Sequence, residues 1–137
     1  MADKTRLVDY FYTHCADHAG EAFRLLSTLK EGGVNLLAFS AFPAGPNKCQ
    51  VDFVPENPDT LLKAAKQAGL TLSDRKQCFL IDGADRPGAV AEVLKRLADA
   101  KINVTACDAA CTGGGRYGAI LWVKPASVAA ASKALGA

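Results

Sequence analysis

Three potential metal ligands lie close together near the start of the sequence. His14, Cys15 and His18 carry imidazole and thiol groups, which suit zinc and other transition metals. No C-x-x-C pair accompanies them. Histidines at the end of a strand or the start of a helix are more often solvated, so we expect no metal and keep a metal carrier that uses these three residues as the alternative.

Side chains suited to catalysis are sparse. His14 and His18 are the only histidines, and neither forms an obvious catalytic arrangement with a serine, cysteine or acid. Arg86 and Asn103 are residue types that can hold a phosphate and position water, but the loop around Arg86 lacks a glycine-rich cradle. We therefore expect no enzyme activity, no catalytic residues and no cofactor.

The charge and the apolar pattern of the sequence disfavour binding to nucleic acid or membranes. The net charge is +2, which gives no strong field for binding nucleic acid or anionic lipid. The glycine run at 113–115 joins two predicted strands, whereas a phosphate loop joins a strand to a helix. The longest apolar stretches are strand-length, and no signal-peptide core follows the first residues, so we expect a cytoplasmic protein.

The composition is typical of a globular protein. The chain has 137 residues, of which 50% are apolar and 22% charged, and this excludes disordered and collagen-like classes. Its five cysteines form no recognisable disulfide framework, which indicates reduced thiols. Cys107 and Cys111 lie about 13 Å apart along one strand at ~3.3 Å per residue, too far for a bridge.

An internal repeat organises the whole chain. An offset of 68 residues aligns Phe11 with Phe79, Asp17 with Asp85 and, without a gap, several further pairs. Beyond the following loop, an offset of 69 places Phe53-Val54 on Trp122-Val123. We therefore expect two domains, residues 1–74 and residues 75–137.

Each copy contains the same predicted order of elements. A strand (Leu7 to Thr13; Gln77 to Asp82) leads through a turn to a helix with apolar spacing i, i+3, i+4, i+7. The acidic residue of each turn is a candidate helix cap, and Pro87 suits a first helical turn. The elements that follow are two strands (Val34 to Phe42 and Cys49 to Val54; Ile102 to Ala110 and Tyr117 to Val123) and a helix (Asp59 to Ala68; Ser127 to Leu135).

The predicted fold class is α+β, with two ferredoxin-like β-α-β-β-α-β sandwiches whose antiparallel sheets carry helices on one face. Leu70 to Leu72 supplies a last strand in the first copy. The second copy has no room for one unless that edge is filled by exchange with the other copy or with another chain. Alternation places Val34, Leu36 and Ala38 on one face and Leu37, Phe39 and Ala41 on the other, so an apolar face remains for a partner.

The duplicated motifs resemble the ACT domain, a regulatory module that binds amino acids. Asp85-Arg86-Pro87-Gly88, followed by Lys101-Ile102-Asn103-Val104, fits that pattern well. The first copy fits less closely, with Asp17-His18-Ala19-Gly20 and Gly33-Val34-Asn35-Leu36. The two resemblances cover about residues 6 to 135 and imply a tandem pair of ACT-like domains without an attached enzyme.

The resemblance implies a ligand site near the first turn and near the Asn that opens the second strand. Helix-start amides suit a ligand carboxylate, Asp or Asn suits its ammonium group, and glycine permits close approach. The position two residues before the Asp, which is often polar in the family, is Cys15 in one copy and Gly83 in the other. The residues carried over are Asp17, His18, Gly20 and Asn35 in the first copy, and Asp85, Arg86, Gly88 and Asn103 in the second.

The implied function is allosteric regulation through an amino acid bound where ACT units meet. The expected partners are the amino acid, a second copy in a homodimer and an enzyme under regulation. The structural alternative is a pairing module without a ligand, in which each Asp caps a helix and each Asn satisfies backbone groups at the start of a strand.

Overall fold

The computed structural model describes residues 3–137, which divide into two compact units. The N-terminal unit is Asp9–Lys76, and the C-terminal unit combines Gln77–Ala137 with the chain up to Val8. These units differ from the expected domains, 1–74 and 75–137, chiefly in the N-terminal segment, whose residues 1 and 2 lie outside the described part. Within residues 3–137 there are six strands and four α-helices, which confirms the α+β class.

In the N-terminal unit, the later residues of β1 (Lys4–Ala16) are followed by α1 (Glu21–Glu31), β2 (Leu36–Pro43), β3 (Lys48–Pro55) and α2 (Pro58–Ala68). The strands lie in the order β2–β3–β1, and both pairs are antiparallel. The apolar residues of the strands and helices form one core, which contains the buried residues Phe11, Leu25, Leu29, Val51, Phe53 and Leu61.

The C-terminal unit contains β4 (Lys76–Ala84), α3 (Ala89–Asp99), β5 (Val104–Cys111), β6 (Arg116–Val123), a 3-10 turn (Pro125–Ser127) and α4 (Val128–Leu135). Its strands lie in the order β4–β6–β5, and both pairs are antiparallel. The predicted apolar stripe of α3 is confirmed, because Val93 and Leu97 are buried in a core with Phe79, Leu121 and Ala131.

Corresponding elements lie 68 residues apart along the chain. The helices α1 and α3 begin at 21 and 89, β2 and β5 at 36 and 104, and β3 and β6 at 48 and 116. Phe11 lies opposite Phe53, and Phe79 lies opposite Leu121, so Phe53 corresponds to Leu121. The expected offset of 69 is wrong, because similar residue types at Phe53 and Trp122 do not determine strand register.

A register shift in β2 changes which side chains face the core. The pairing with β3 shifts between Leu36 and Ala38, and an irregularity of this kind reverses the alternation of faces. Leu36 packs against the core, and the ring of Phe39 lies 6.1 Å from that of Phe53 between centroids. The expected separation of Leu36 and Phe39 onto opposite faces is therefore wrong. A matching shift occurs in β5 between Val104 and Ala106.

The edge of the N-terminal unit differs from expectation, whereas the strand beside β4 comes from the start of the chain, as an exchange between the copies would allow. Leu70 to Leu72 is not a regular strand, although Thr13 Oγ1 donates to the carbonyl of Thr71 (2.7 Å) and the Ser73 amide donates to that of Tyr12 (2.8 Å). In the C-terminal unit β4 is flanked by β1, whose residues up to Val8 belong to that unit. Among residues 3–137, α4 is the last element of this unit, and the position beside β4 is taken by β1.

The helices are short throughout the described chain. The longest have 11 residues, and among residues 3–137 none has the length and apolar character needed to cross a membrane. The helix α2 begins at an Asn57 cap, whose side-chain oxygen accepts from the amides of Asp59 (3.0 Å) and Thr60 (3.4 Å).

Candidate functional site

An open cleft of ≈ 340 Å³ lies at the β4–α3 turn of the C-terminal unit. The turn contributes Asp85, Arg86 and Gly88, three of the four site residues predicted in this copy. The opposite wall comes from the end of β5, where Ala109, Ala110 and Cys111 lie, and from Tyr117 on β6. The β-α-β-β order therefore brings residues about 25 positions apart to one cleft.

The helix α3 begins at this cleft without a side-chain cap. Its N-cap is Gly88, with φ 81° in the left-handed region, and the Ala89 amide donates to the carbonyl of Arg86 (3.2 Å). The expected capping role of Asp85 and the expected place of Pro87 in the first helical turn are therefore wrong. The amides of Val90 and Ala91, in the first turn of α3, have no carbonyl partner within the helix and no capping side chain.

Gly88 is required by its backbone conformation and not by a lack of space. A Cβ atom at Gly88 meets nothing within 4 Å, whereas a left-handed φ costs an ordinary residue about 1–2 kcal/mol. We expect Gly88→Ala to lower the free energy of unfolding by that amount and Gly88→Asn by less, measured by urea denaturation. An alanine variant as stable as the wild type contradicts this explanation.

The Asp85 side chain is exposed and borders the cleft. Its carboxylate accepts a hydrogen bond from the Cys111 thiol, with Sγ 3.1 Å from Oδ2. Its backbone amide donates to the carbonyl of Gly115 (2.9 Å). The backbone of Asp85 is thus held by the β5–β6 loop, while its carboxylate remains available to a cationic group entering the cleft.

Arg86 is engaged by acidic groups of its own unit. Its guanidinium donates to Asp3 (3.2 and 3.4 Å), to Glu92 (2.6 Å) and to the carbonyl of Ala84 (2.9 Å). The hydrogen bonds to Glu92 and Asp3 raise the pKa of Arg86. These acceptors occupy both terminal nitrogens of the guanidinium, so Arg86 ties the turn to Asp3 and Glu92.

Asp3 is the centre of this hydrogen-bonded network. Its side chain is only 6% exposed, and it also accepts from the Tyr117 hydroxyl (2.7 Å). The hydrogen bond from Arg86 lowers the pKa of Asp3, while burial and the bond to Asp3 raise the pKa of Tyr117 to about 12. Asp3 is therefore held as a carboxylate and Tyr117 as a neutral phenol.

Gly83 makes room for the Asp3 carboxylate. A Cβ atom there would meet the carboxylate of Asp3 and come within 2.7 Å of ring atom Cε1 of Tyr117. The space beside Gly83 is thus filled by a carboxylate from another part of the chain. No motif in the sequence pointed to Asp3, Glu92 or Tyr117. Gly83 directly follows the predicted strand, and only the extension of β4 to Ala84 makes it a glycine within a strand, which is a sign of close approach by another group.

Asn103 lies away from this cleft. It is exposed and precedes β5, whose other end, at Cys111, borders the cleft. Eight residues of extended chain span about 26 Å at ~3.3 Å per residue. A ligand of amino-acid size in the cleft therefore does not reach Asn103 of the same chain.

The equivalent turn of the N-terminal unit has the same backbone but different side chains. Gly20, with φ 91°, is the N-cap of α1, and the Glu21 amide donates to the carbonyl of His18 (3.3 Å). Asp17 and His18 are exposed. Asn35 lies beyond α1, where its side-chain amide donates to the carboxylate of Glu56 (2.9 Å) and its carbonyl accepts from the Glu56 amide (2.9 Å).

The groups considered for a metal are not gathered into a site. His14 lies near Gln50, with Nε2 3.2 Å from Oε1, and Cys15 lies opposite Cys49 across β1 and β3. In residues 3–137 no cluster of three or more His, Cys, Asp or Glu side chains has an arrangement that suits a metal ion.

Comparison with known proteins gives matches only at the level of structure. No family model and no curated protein matches the chain. A solved protein from Bacteroides thetaiotaomicron has a TM-score of 0.81 at 14% identity, covering 96% of this chain and 88% of its own. The ligand-free regulatory subunit of aspartate kinase from Thermus thermophilus has a TM-score of 0.66 at 15% identity, covering 99% and 95%.

The regulatory subunit of aspartate kinase from Thermus flavus is similar to the same extent, with a TM-score of 0.63 at 18% identity and coverage of 99% and 95%. At such identities the likeness shows the fold alone. It supports an ACT-like fold for this chain, and two of the similar structures are regulatory subunits.

Proposed function

We propose that the chain is a non-catalytic regulatory protein, built of two ferredoxin-like ACT-type units, that binds an amino acid at the β4–α3 turn. The observation that carries the proposal is the cleft at Asp85, Arg86 and Gly88, which combines an uncapped helix start with an exposed carboxylate. The similarity to regulatory subunits of aspartate kinase supports the regulatory part.

The two ends of a free amino acid fit opposite parts of this cleft. Its carboxylate would accept from the amides of Val90 and Ala91, where the helix dipole also favours negative charge. Its ammonium group would be held by the Asp85 carboxylate, and its side chain would lie along Ala109 and Ala110. Arg86, tied to Asp3 and Glu92, holds the turn in this form.

The C-terminal turn is the stronger of the two expected sites. In the N-terminal unit, Cys15 and Cys49 occupy the positions that correspond to Gly83 and Tyr117. These two cysteines form no counterpart of the hydrogen-bonded network around Asp3. Asp17, His18 and Gly20 are proposed only as a weaker second site. Asn35 and Asn103 would take part only if a second copy brought them to a turn.

The expected homodimer is proposed to form along β2. Large apolar side chains are exposed on this strand, with Leu37 at 40%, Phe39 at 38% and Phe42 at 41%. In its own unit β2 pairs on one side with β3, and the unpaired side of such a strand readily adds another strand. A ligand that binds the dimer better than the monomer would shift the assembly and so its contact with a regulated enzyme.

A thermal-shift screen of the twenty amino acids tests the ligand. At 100 times its dissociation constant, the correct amino acid should stabilise the protein by about 2.7 kcal/mol, a rise of several degrees in Tm. Asp85→Asn should abolish the shift, and Asp17→Asn, the matched change in the other unit, should retain it.

If no amino acid moves the melting curve at millimolar concentration, the sensing proposal is wrong and a pairing module without a ligand is favoured. If the shift survives in Asp85→Asn and disappears in Asp17→Asn, the ligand binds at the N-terminal turn.

Sedimentation equilibrium tests the homodimer separately. The double variant Leu37→Lys/Phe42→Lys should be a monomer at concentrations where the wild type is a dimer, because two charges cannot be buried on the paired edge. Phe23→Lys changes an apolar residue of α1 that is 76% exposed and should leave the dimer intact. A dimer that persists in the double variant places the interface elsewhere.

A further inference from the structure

Two cysteines of the N-terminal unit lie directly opposite each other. Cys15 on β1 pairs with Cys49 on β3 in the antiparallel register. Opposite residues of such a pair have Cα atoms about 4.5–5.5 Å apart and side chains on the same face. A disulfide accepts Cα separations of about 4.4–6.8 Å, so the two sulfurs can be joined with little backbone movement.

The two thiols combine partial burial with partial exposure. Both are free and half-buried, and both pack at the border of the N-terminal core. Cys49 Sγ has one further polar neighbour, the carbonyl of Gln50 at 3.7 Å. Their partial exposure gives a small molecule access to the two thiols.

The other cysteines lack this arrangement. Cys78 is buried. On β5, Cys107 lies opposite Leu121 and Cys111 lies opposite Tyr117. In the C-terminal unit the positions that correspond to Cys15 and Cys49 are Gly83 and Tyr117. The thiol pair is therefore present in the N-terminal copy and has no counterpart at the equivalent positions of the other copy.

We propose that Cys15 and Cys49 are a thiol-oxidation site, which forms a reversible cross-strand disulfide by exchange with a small-molecule disulfide. The thiolate of one cysteine attacks a sulfur of the small disulfide, forms a mixed disulfide and releases one small thiol. The second cysteine then attacks the protein sulfur of that mixed disulfide and releases the other small thiol. The two cysteines together lose two electrons and two protons, and the small disulfide gains these electrons and protons as it becomes two thiols.

The electrostatic environment determines the pH at which this exchange is fast. Burial, the neighbouring Cys49 and the Glu21 carboxylate raise the pKa of Cys15, and the Arg24 guanidinium opposes this rise. Because the thiolate is the attacking species, the exchange is expected to be slow at pH 7 and to accelerate towards pH 9. The bond would join β1 to β3 two residues before Asp17 and would close a loop of about 35 residues, which restricts the unfolded chain.

Peptide mapping after oxidation tests the site. Folded protein is incubated at pH 8.5 with oxidised glutathione, the remaining thiols are alkylated, and the chain is cut with trypsin without reduction. Residues 7–24 and 49–63, which carry Cys15 and Cys49, should appear as one linked peptide whose mass is about 2 Da below the sum of the two. The oxidised protein should melt several degrees higher, and reduction should reverse this change.

Two variants separate the pair from the other thiols. Cys111→Ser removes the exposed cysteine, and the linked peptide should form unchanged. Cys15→Ser should yield a glutathione adduct on Cys49 in place of the link. If both cysteines of the folded wild type remain alkylatable, or if each ends as a separate glutathione adduct, the proposal is wrong.

Discussion

Replacing Gly83 with alanine is expected to lower the free energy of unfolding by about 2–3 kcal/mol. The new methyl group would meet the Asp3 carboxylate and the Tyr117 ring, so that either the carboxylate leaves Arg86 or the ring shifts within the core. Urea denaturation at pH 7 measures the change.

A second glycine of the same sheet provides the matched control. In Gly118→Ala on β6, the nearest atom to the new Cβ is the Ile81 carbonyl oxygen at 3.9 Å, which is ordinary contact. We expect this variant to stay within about 1 kcal/mol of the wild type. Equal losses in both variants would mean that strand propensity, and not the Asp3 contact, makes Gly83 necessary.

The same contact predicts that two substitutions are not additive. In an Asp3→Ala background the carboxylate is absent, so Gly83→Ala should cost less there than in the wild type. The remaining cost then measures the contact with Tyr117 alone. A double-mutant cycle that gives simple additivity contradicts the proposed packing of Asp3 against Gly83.

Removing the charge of Asp3 is expected to make stability less dependent on acid pH. The hydrogen bond from Arg86 lowers the pKa of Asp3 below its usual 3.8. A depressed pKa contributes stability that is present above the unfolded value and is lost as the pH falls through the folded value. Asp3→Asn should therefore be less stable than the wild type at pH 7, on the order of 1–2 kcal/mol for the weakened charge-assisted hydrogen bonds.

The pH series gives the decisive comparison for Asp3. The difference between wild type and Asp3→Asn should shrink as the pH falls below about 4, because the wild-type carboxyl then also becomes neutral. Asp99→Asn removes a carboxylate whose ion pair with Lys95 is exposed, and it should change stability little at any pH. A wild-type advantage that stays constant down to pH 2.5 contradicts the role assigned to the Asp3 charge.

The Asp3 network distinguishes the two turns of this chain. Both turns place a left-handed glycine before a helix, at Gly20 and Gly88, so they share a backbone form. Only the C-terminal turn has an arginine held by a buried carboxylate that comes from the N-terminal segment. A repeated backbone therefore presents two different chemical surfaces, a charged cleft at one turn and a thiol pair at the other.

Local patterns in the sequence were sufficient to predict the helices and strands and their repetition. Helix periodicity placed Leu25 and Leu29, and Val93 and Leu97, in the cores because burying one face of a helix requires that spacing. The motif Asp85-Arg86-Pro87-Gly88 located three residues that line one cleft, because a turn between a strand and a helix keeps its own residues together.

The remaining features depend on residues far apart in the chain. Three features leave no periodic signal in the sequence, because each arises from pairing between distant segments. They are the register shift in β2, the strand beside β4 and the contact of Asp3 with Arg86 and Tyr117. The α+β class, the 68-residue spacing and the turn at Asp85 could thus be predicted from local patterns alone. The groups that surround that turn could not, because hydrogen bonding and close packing act between residues that are neighbours in space and not in sequence.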